Sequence, residues 1–259
     1  MRRSLLAAGL GVAAGVAWRK VLLPWERDWG ATDEEVAAEL AGDALTTPPV
    51  EECTRAITIA APPEAVWPWL VQMGADRGGF YSYAWMENLF GLQIRNADRI
   101  HDEWQQLTVG DPVWGDRRRR GGWVVEHIEP NVALVLKTAD PATGRAVTRA
   151  TGIGFEFQWT FALRPTPAGD TRLLIRERTA YGRRSTRWLM APVGLVSFVM
   201  TRKMLDSIRV RVESASVHDR SVRAPAPARS WVTSRSWTPT PIGSTPSCGS
   251  GTVLRRGSS

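Results

Sequence analysis

The pattern of apolar residues changes character along the chain. Ser4 to Trp18 is uncharged, mostly apolar and without period, bracketed by Arg2, Arg3, Arg19 and Lys20. Thr54 to Ala60 sets Ile57 and Ile59 against Ala56 and Thr58, which predicts a strand. Pro62-Pro63-Glu64 then opens a helix through Val66, Leu70 and Met73 that Gly74 stops. A Gly78-Gly79 turn precedes a second short helix over Ala84 to Phe90, closed by Gly91. From Pro112 onward the period becomes two. It predicts strands near Pro112 to Trp114, Gly122 to Ile128, Val132 to Thr138, Gly152 to Leu163 and Thr171 to Tyr181.

The fourth of these strands is the clearest. Ile153, Phe155, Phe157, Trp159, Phe161 and Leu163 share one face while Glu156, Gln158 and Thr160 take the other, so one side is expected to be dry and one to meet water. Strands joined by short turns with no helix between them form an antiparallel sheet. Arg184 to Val217 reads as one long helix whose uncharged centre, Trp188 to Thr201, is apolar nearly all round yet too short to span a bilayer. A concave sheet gripping that helix satisfies both observations. The expected fold class is therefore α+β: a curved antiparallel sheet wrapped around a long C-terminal helix, with two short helices after the first strand.

The flanks differ from this domain, which is placed at 51–218. Residues 26–50 are acidic and small and end in Thr46-Thr47-Pro48-Pro49, which suits a linker holding a short helix at Asp33 to Leu40. Residues 219–259 are Pro, Ser, Thr, Gly and Arg without period, read as a disordered tail. Residues 1–25 read as an apolar leader. A 15-residue helix is roughly 22 Å long against ~30 Å of hydrocarbon, so a single membrane anchor has to extend through Val21 to Trp25, and a cleaved signal or a plain soluble extension fits as well. Membrane association through the leader is the expected location, with secreted or cytoplasmic protein as alternatives.

Charge alters the picture once it is partitioned. The formal net charge of +7 divides into +3 for residues 1–30, −1 for 31–218 and +5 for 219–259, so the folded part presents no basic surface to nucleic acid. Two cysteines exclude a disulfide framework, and three scattered histidines leave little for a metal site; no cofactor is expected. Thirteen Trp against six Phe and three Tyr is the compositional oddity, because rings in that number line a core or a cavity.

The stretch from Arg55 through Ala61-Pro62-Pro63-Glu64 and Val66-Trp67-Pro68-Trp69-Leu70 to Gln72-Met73-Gly74, followed by Gly78-Gly79-Phe80-Tyr81-Ser82-Tyr83-Ala84-Trp85, resembles the SRPBCC (START-like, polyketide cyclase/dehydrase-like) superfamily. Asn96 to Ile100, Trp104 to Asp111, Trp29 to Thr32 and Gly42-Asp43 are similar to a bacterial subgroup that also carries an apolar leader. The likeness covers roughly 25–215, firmest up to Asp111. It implies a helix-grip fold with a deep cavity for apolar or amphipathic small molecules. It implies no reaction, since members share no common catalytic residues.

Candidate cavity-wall residues are Trp67, Met73, Phe80, Tyr81, Trp85, Trp123, Phe155, Phe157 and Trp159, each with plain core packing as its alternative. Polar candidates come from strand parity. Glu177 shares the face of Leu173 and Ile175, so it points inward as a general acid, a base or an anchor for a ligand hydroxyl, unless a nearby arginine pairs with it or a bulge turns it away. His127 falls on the face of Trp123 and Val125 and is the second catalytic candidate. Arg117, Arg118, Arg119 and Arg120 form a basic hairpin tip, solvated or touching anionic lipid. Ser-His-Asp and Cys-His nucleophile arrangements, a Walker loop and a Gly-x-Gly-x-x-Gly fingerprint are absent. The expected function is binding or carriage of an apolar molecule, with a cyclase-, dehydratase- or isomerase-type enzyme as alternative, and a scaffold plugged by its own indoles as a third reading.

Overall fold

The computed structural model describes residues 20, 23–46, 51–147, 155–181 and 184–223, with side chains of the final helix described over 194–216. Two short helices, α1 (Leu23–Arg27) and α2 (Asp33–Ala37), and a 3-10 turn at Asp43–Leu45 precede β1 (Glu51–Ile59). Then come α3 (Pro63–Val71), α4 (Ala84–Leu89), β2 (Pro112–Trp114), β3 (Gly122–Glu129), β4 (Ala133–Ala139), β5 (Phe155–Pro165), β6 (Thr171–Tyr181) and α5 (Arg184–Arg223). The strands form one curved antiparallel sheet in the order β1-β6-β5-β4-β3-β2, and α5 lies in its grip. The fold is the α+β helix-grip arrangement.

Parity divides the sheet into two unlike faces. Ile57, Ile59, Leu134, Leu136, Phe161, Leu173 and Ile175 turn inward and join Leu205, Ile208 and Val212 of α5 in the main core. Six of these seven strand residues have no measurable exposure, and each buried side chain of this size contributes about 1.5–3 kcal/mol. The opposite face departs from the sequence expectation. Glu156, Gln158 and Thr160, expected to meet water, are all buried.

The cover is the segment expected to be a linker. Residues 31–46 lie on the outer face, where Leu40 packs with Ala56, Ala162 and Leu174 in a small second core, whereas Trp25 and Trp29 before them pack against Phe198 of α5. Polar groups around it are matched one by one. Thr46 Oγ1 donates to Glu156 and Gln158, Lys137 pairs with Glu156 at 2.7 Å, and its Nζ donates to the Leu45 carbonyl. Arg176 meets the Asp43 carboxylate at 2.6 Å and Arg178 meets it at 3.3 Å, while Arg172 clasps Glu35 at 2.7 Å. That hydrogen bond from Arg172, ahead of other causes, holds the Glu35 carboxyl below its ordinary range. Thr32 and Glu35 also form a reciprocal capping box, so α2 starts where its sequence dictates.

Helix α5 continues to Arg223, past the boundary of 218 expected from composition; 224–259 and the leader residues 1–19 lie outside the described residues. Among the described residues no helix is long and apolar enough to cross a membrane.

Asp43 holds two arginines and also accepts the Leu40 N–H at 2.9 Å, so its removal leaves Glu52, 3.8 Å from Arg176 and 3.0 Å from Arg178, to face both buried guanidinium groups. Asp43→Ala is expected to cost about 3 kcal/mol or more of folding stability, read as a drop in urea midpoint. An unchanged midpoint would show that the outer cover adds nothing to the fold.

Candidate functional site

A cavity of about 240 Å³ lies between the inner face of the sheet and α5. That is below the usual ~300–1,000 Å³ of small-molecule sites, because rings crowd it. Trp159 of β5 has Phe161 at 4.9 Å, Trp123 of β3 at 5.5 Å and Phe80 at 6.2 Å between ring centroids. Phe157 completes this wall; Leu92 and Ile94 of the loop after α4 and Met200 and Met204 of α5 supply the rest of the apolar lining. The indoles narrow the hollow without filling it.

The polar groups in the wall come from three places. Glu177 of β6 points inward, as parity requires, and the arginine alternative holds as well: Arg55 Nη1 lies 3.1 Å from Glu177 Oε1, with the Arg55 side chain 2% exposed. Thr201 Oγ1 donates to the same oxygen at 2.8 Å and Ser197 Oγ donates to Oε2 at 3.0 Å. Arg55 is held in turn, its Nε donating to the Glu26 carbonyl at 3.0 Å and its guanidinium lying 5.4 Å from the Phe198 ring centre. Both oxygens of this carboxylate are therefore engaged, one of them by a buried cation.

Glu87 of α4 is different. Ser82 Oγ donates to Glu87 Oε1, whereas the buried Oε2 has no hydrogen-bond partner among the described residues. Burial, the larger influence, pushes this carboxyl above its ordinary value, against the opposing Ser82 hydrogen bond. The Trp159 indole N–H in the same wall is likewise buried and without a partner. Burial also pushes the nearby Cys53 thiol up to about 12, with the Glu177 charge adding to it, which leaves that thiol protonated and unreactive.

Of the nine expected wall residues, Phe80, Trp123, Phe157 and Trp159 line the cavity. Met73 and Tyr81 are core residues outside its wall, and Trp67 packs half-buried against that core. Trp85 is 63% exposed, because α4 turns it outward beside Tyr83. The Phe155 side chain lies outside the described residues. Tyr81 serves the scaffold: its hydroxyl accepts a hydrogen bond from Gln72 Nε2, and its backbone N–H is fixed by Asn96. Gly79 beside it has φ +72°, and a Cβ there would sit 2.5 Å from Asn96 Oδ1, so the turn demands glycine. The residues that carry the family resemblance most visibly thus build this loop.

His127 does not reach the cavity. A β-bulge between Val125 and His127 shifts the register, so that His127 pairs with Val135 and Ile128 takes over the inward position. Its side chain is half-exposed and lies 4.0 Å from Glu129. The arginine tip is organised by Asp116, which accepts the backbone N–H of Arg118 and Arg120; Arg120 also meets its carboxylate at 3.3 Å and Arg119 meets Asp76 at 3.3 Å. All four arginines remain exposed.

Arg55, Glu87, Ser82, Ser197 and Thr201 were not anticipated. For Arg55 a signal existed, since it shares the parity of Ile57 and Ile59. For Glu87 none did, because a six-residue helix has too few turns to define a face.

No protein-family model and no curated protein matches this chain. Solved structures do. A protein from Mesorhizobium loti is 16% identical over 63% of this chain and 98% of its own, with a TM-score of 0.33. One from Arthrobacter aurescens is 17% identical over 63% of this chain and 86% of its own, TM-score 0.36. DynU16, a protein of the dynemicin biosynthetic locus, is 15% identical over 61% of this chain and 47% of its own, TM-score 0.36.

The environment of Glu87 gives a pH signature. Its folded state favours the neutral carboxyl, so the stability it contributes is complete below the ordinary value of 4.5 and is lost as pH rises through the raised one. Glu87→Gln mimics the neutral form; its urea midpoint relative to wild type is expected to rise between pH 4.5 and pH 8. A difference independent of pH contradicts the buried neutral carboxyl.

Proposed function

We propose that this chain binds a small, mostly apolar molecule in the cavity between its sheet and α5. The observation that carries the reading is the wall itself. Aromatic and Met side chains surround a hollow of about 240 Å³ into which only a few polar groups project, the composition of a small-molecule site. The resemblance of residues 55–111 to the SRPBCC superfamily supports the same reading. Carriage at a membrane surface is part of it: the leader would hold the domain near lipid, and the exposed Arg117 and Arg118 would meet anionic headgroups at about 1 kcal/mol each.

A second reading is favoured by one observation. Glu87 is a buried carboxyl with a raised pKa facing the same hollow, the environment of a general acid, so proton transfer of the cyclase, dehydratase or isomerase type would run through Glu87 rather than through Glu177 or His127. Turnover of a candidate substrate by wild type but not by Glu87→Gln would favour this reading over carriage.

Native mass spectrometry of the full chain tests binding directly. A stoichiometric adduct that organic solvent releases is expected for wild type, and its loss for Met200→Trp, which pushes an indole into the hollow with the fold retained. An adduct that survives Met200→Trp unchanged places the guest elsewhere, and an empty protein with an empty solvent extract speaks against carriage.

A further inference from the structure

Most polar atoms of the cavity wall are already committed. Both Glu177 oxygens are occupied, the Ser197 and Thr201 hydroxyls donate to them, and the Ser82 hydroxyl donates to Glu87. Two side-chain atoms of the wall remain unpaired among the described residues: the Trp159 indole N–H, a donor, and Glu87 Oε2, an acceptor when the carboxyl is ionised and a donor when it is neutral. The two residues are 9% and 7% exposed, and both atoms are buried. A buried polar group left unpaired costs about 1–3 kcal/mol, which makes two orphan polar atoms in one small hollow a strong demand on whatever enters it.

We propose that the guest is a neutral molecule carrying a hydroxyl group, alcoholic or phenolic, whose oxygen accepts the Trp159 N–H and which pairs with Glu87 Oε2, accepting from the neutral carboxyl and donating to the ionised one. The proposal rests on the cavity-binding reading and names the chemical class it selects. A hydroxyl is the smallest group that is donor and acceptor at once, and it suits Glu87 in either protonation state. The alternatives each leave a defect. A carboxylate would join Glu87 and Glu177 in a dry site whose one arginine, Arg55, is already paired. An ammonium offers the indole N–H no acceptor and adds a cation near Arg55. A pure hydrocarbon leaves both orphans unpaired. Trp159 stands directly opposite Glu177 across the β5–β6 ladder, whereas Glu87 arrives from α4, so the two orphans approach from separate elements. Between them Phe80, Trp123 and Phe157 offer ring faces and edges, which suits a body of one or two rings in about 240 Å³.

Isothermal titration of the full chain with 2-naphthol, naphthalene and 2-naphthoate tests this without relying on tryptophan emission. The expected order places 2-naphthol about tenfold tighter than naphthalene, with 2-naphthoate weakest. Trp159→Phe and Glu87→Met each remove one orphan atom and leave an apolar side chain in the wall. Each is expected to bring 2-naphthol to near parity with naphthalene measured on the same variant, so that the ratio and not either affinity is the readout, and Glu87→Gln, which keeps a hydrogen-bonding amide, is expected to retain most of the preference. Should Glu87→Met fail to fold, Trp159→Phe decides alone. Equal binding of 2-naphthol and naphthalene to wild type, tightest binding of 2-naphthoate, or a preference that survives both substitutions overturns the hydroxyl assignment and leaves the cavity as a binding site. Binding of neither naphthalene nor 2-naphthol overturns the cavity reading along with it.

Discussion

The buried pair of Arg55 and Glu177 is the constraint on which the rest of the molecule depends. Burying two charges costs several kcal/mol of lost hydration per ion, and the pair persists only where further hydrogen bonds complete it. Here α1 supplies a carbonyl through Glu26, β1 and β6 supply the ions, and α5 supplies Ser197, Thr201 and the Phe198 ring. Four elements distant in sequence therefore meet around one interaction. Its geometry sets how far α5 stands from the sheet in the stretch that carries Met200 and Met204, and so sets the height of the cavity beneath them.

Because the sheet is covered on both sides, its two faces cannot be exchanged. The inner face is largely apolar and carries the Arg55–Glu177 pair, while the outer face carries a matched lattice of Arg172, Arg176, Arg178, Lys137, Asp43, Glu52 and Glu156. A slip of one residue in β6 would drive Arg176 and Arg178 into the hydrocarbon core and lift Leu173 and Ile175 out of it. The outer lattice thus specifies register, and the inner cavity inherits the precision. Lattice and cavity are built differently: charges on the outside hold the frame, and rings on the inside, with two unpaired polar atoms among them, face the hollow.

Strand positions, most helix positions and fold class were legible because period-two and period-3.6 patterns are local and strong in this chain. Phe80, Trp123, Phe157 and Trp159 could be placed near the hollow for the same reason. What escaped was non-local. The buried outer face of β5 looks wet in sequence because its polarity is satisfied by residues 40–46, more than a hundred positions away. His127 was misplaced by a single inserted residue, since a bulge inverts parity without a glycine or proline to announce it. Tyr81 sits in a loop, just before the helix that carries Trp85, whose shape depends on Gln72 and Asn96, partners that no periodicity links to it.

The outer cover has a consequence for the order in which the protein is made. Asp43 leaves the ribosome 133 residues ahead of Arg176, the guanidinium that seats it, and Glu35 leaves 137 ahead of Arg172. Throughout that interval the strip from Asp33 to Thr46 has no surface on which to dock, and its four acidic residues before Leu40 keep it hydrated while it waits. Closure of the β1–β6 ladder creates the seat, so a segment synthesised before every strand of the sheet is among the last to find its place.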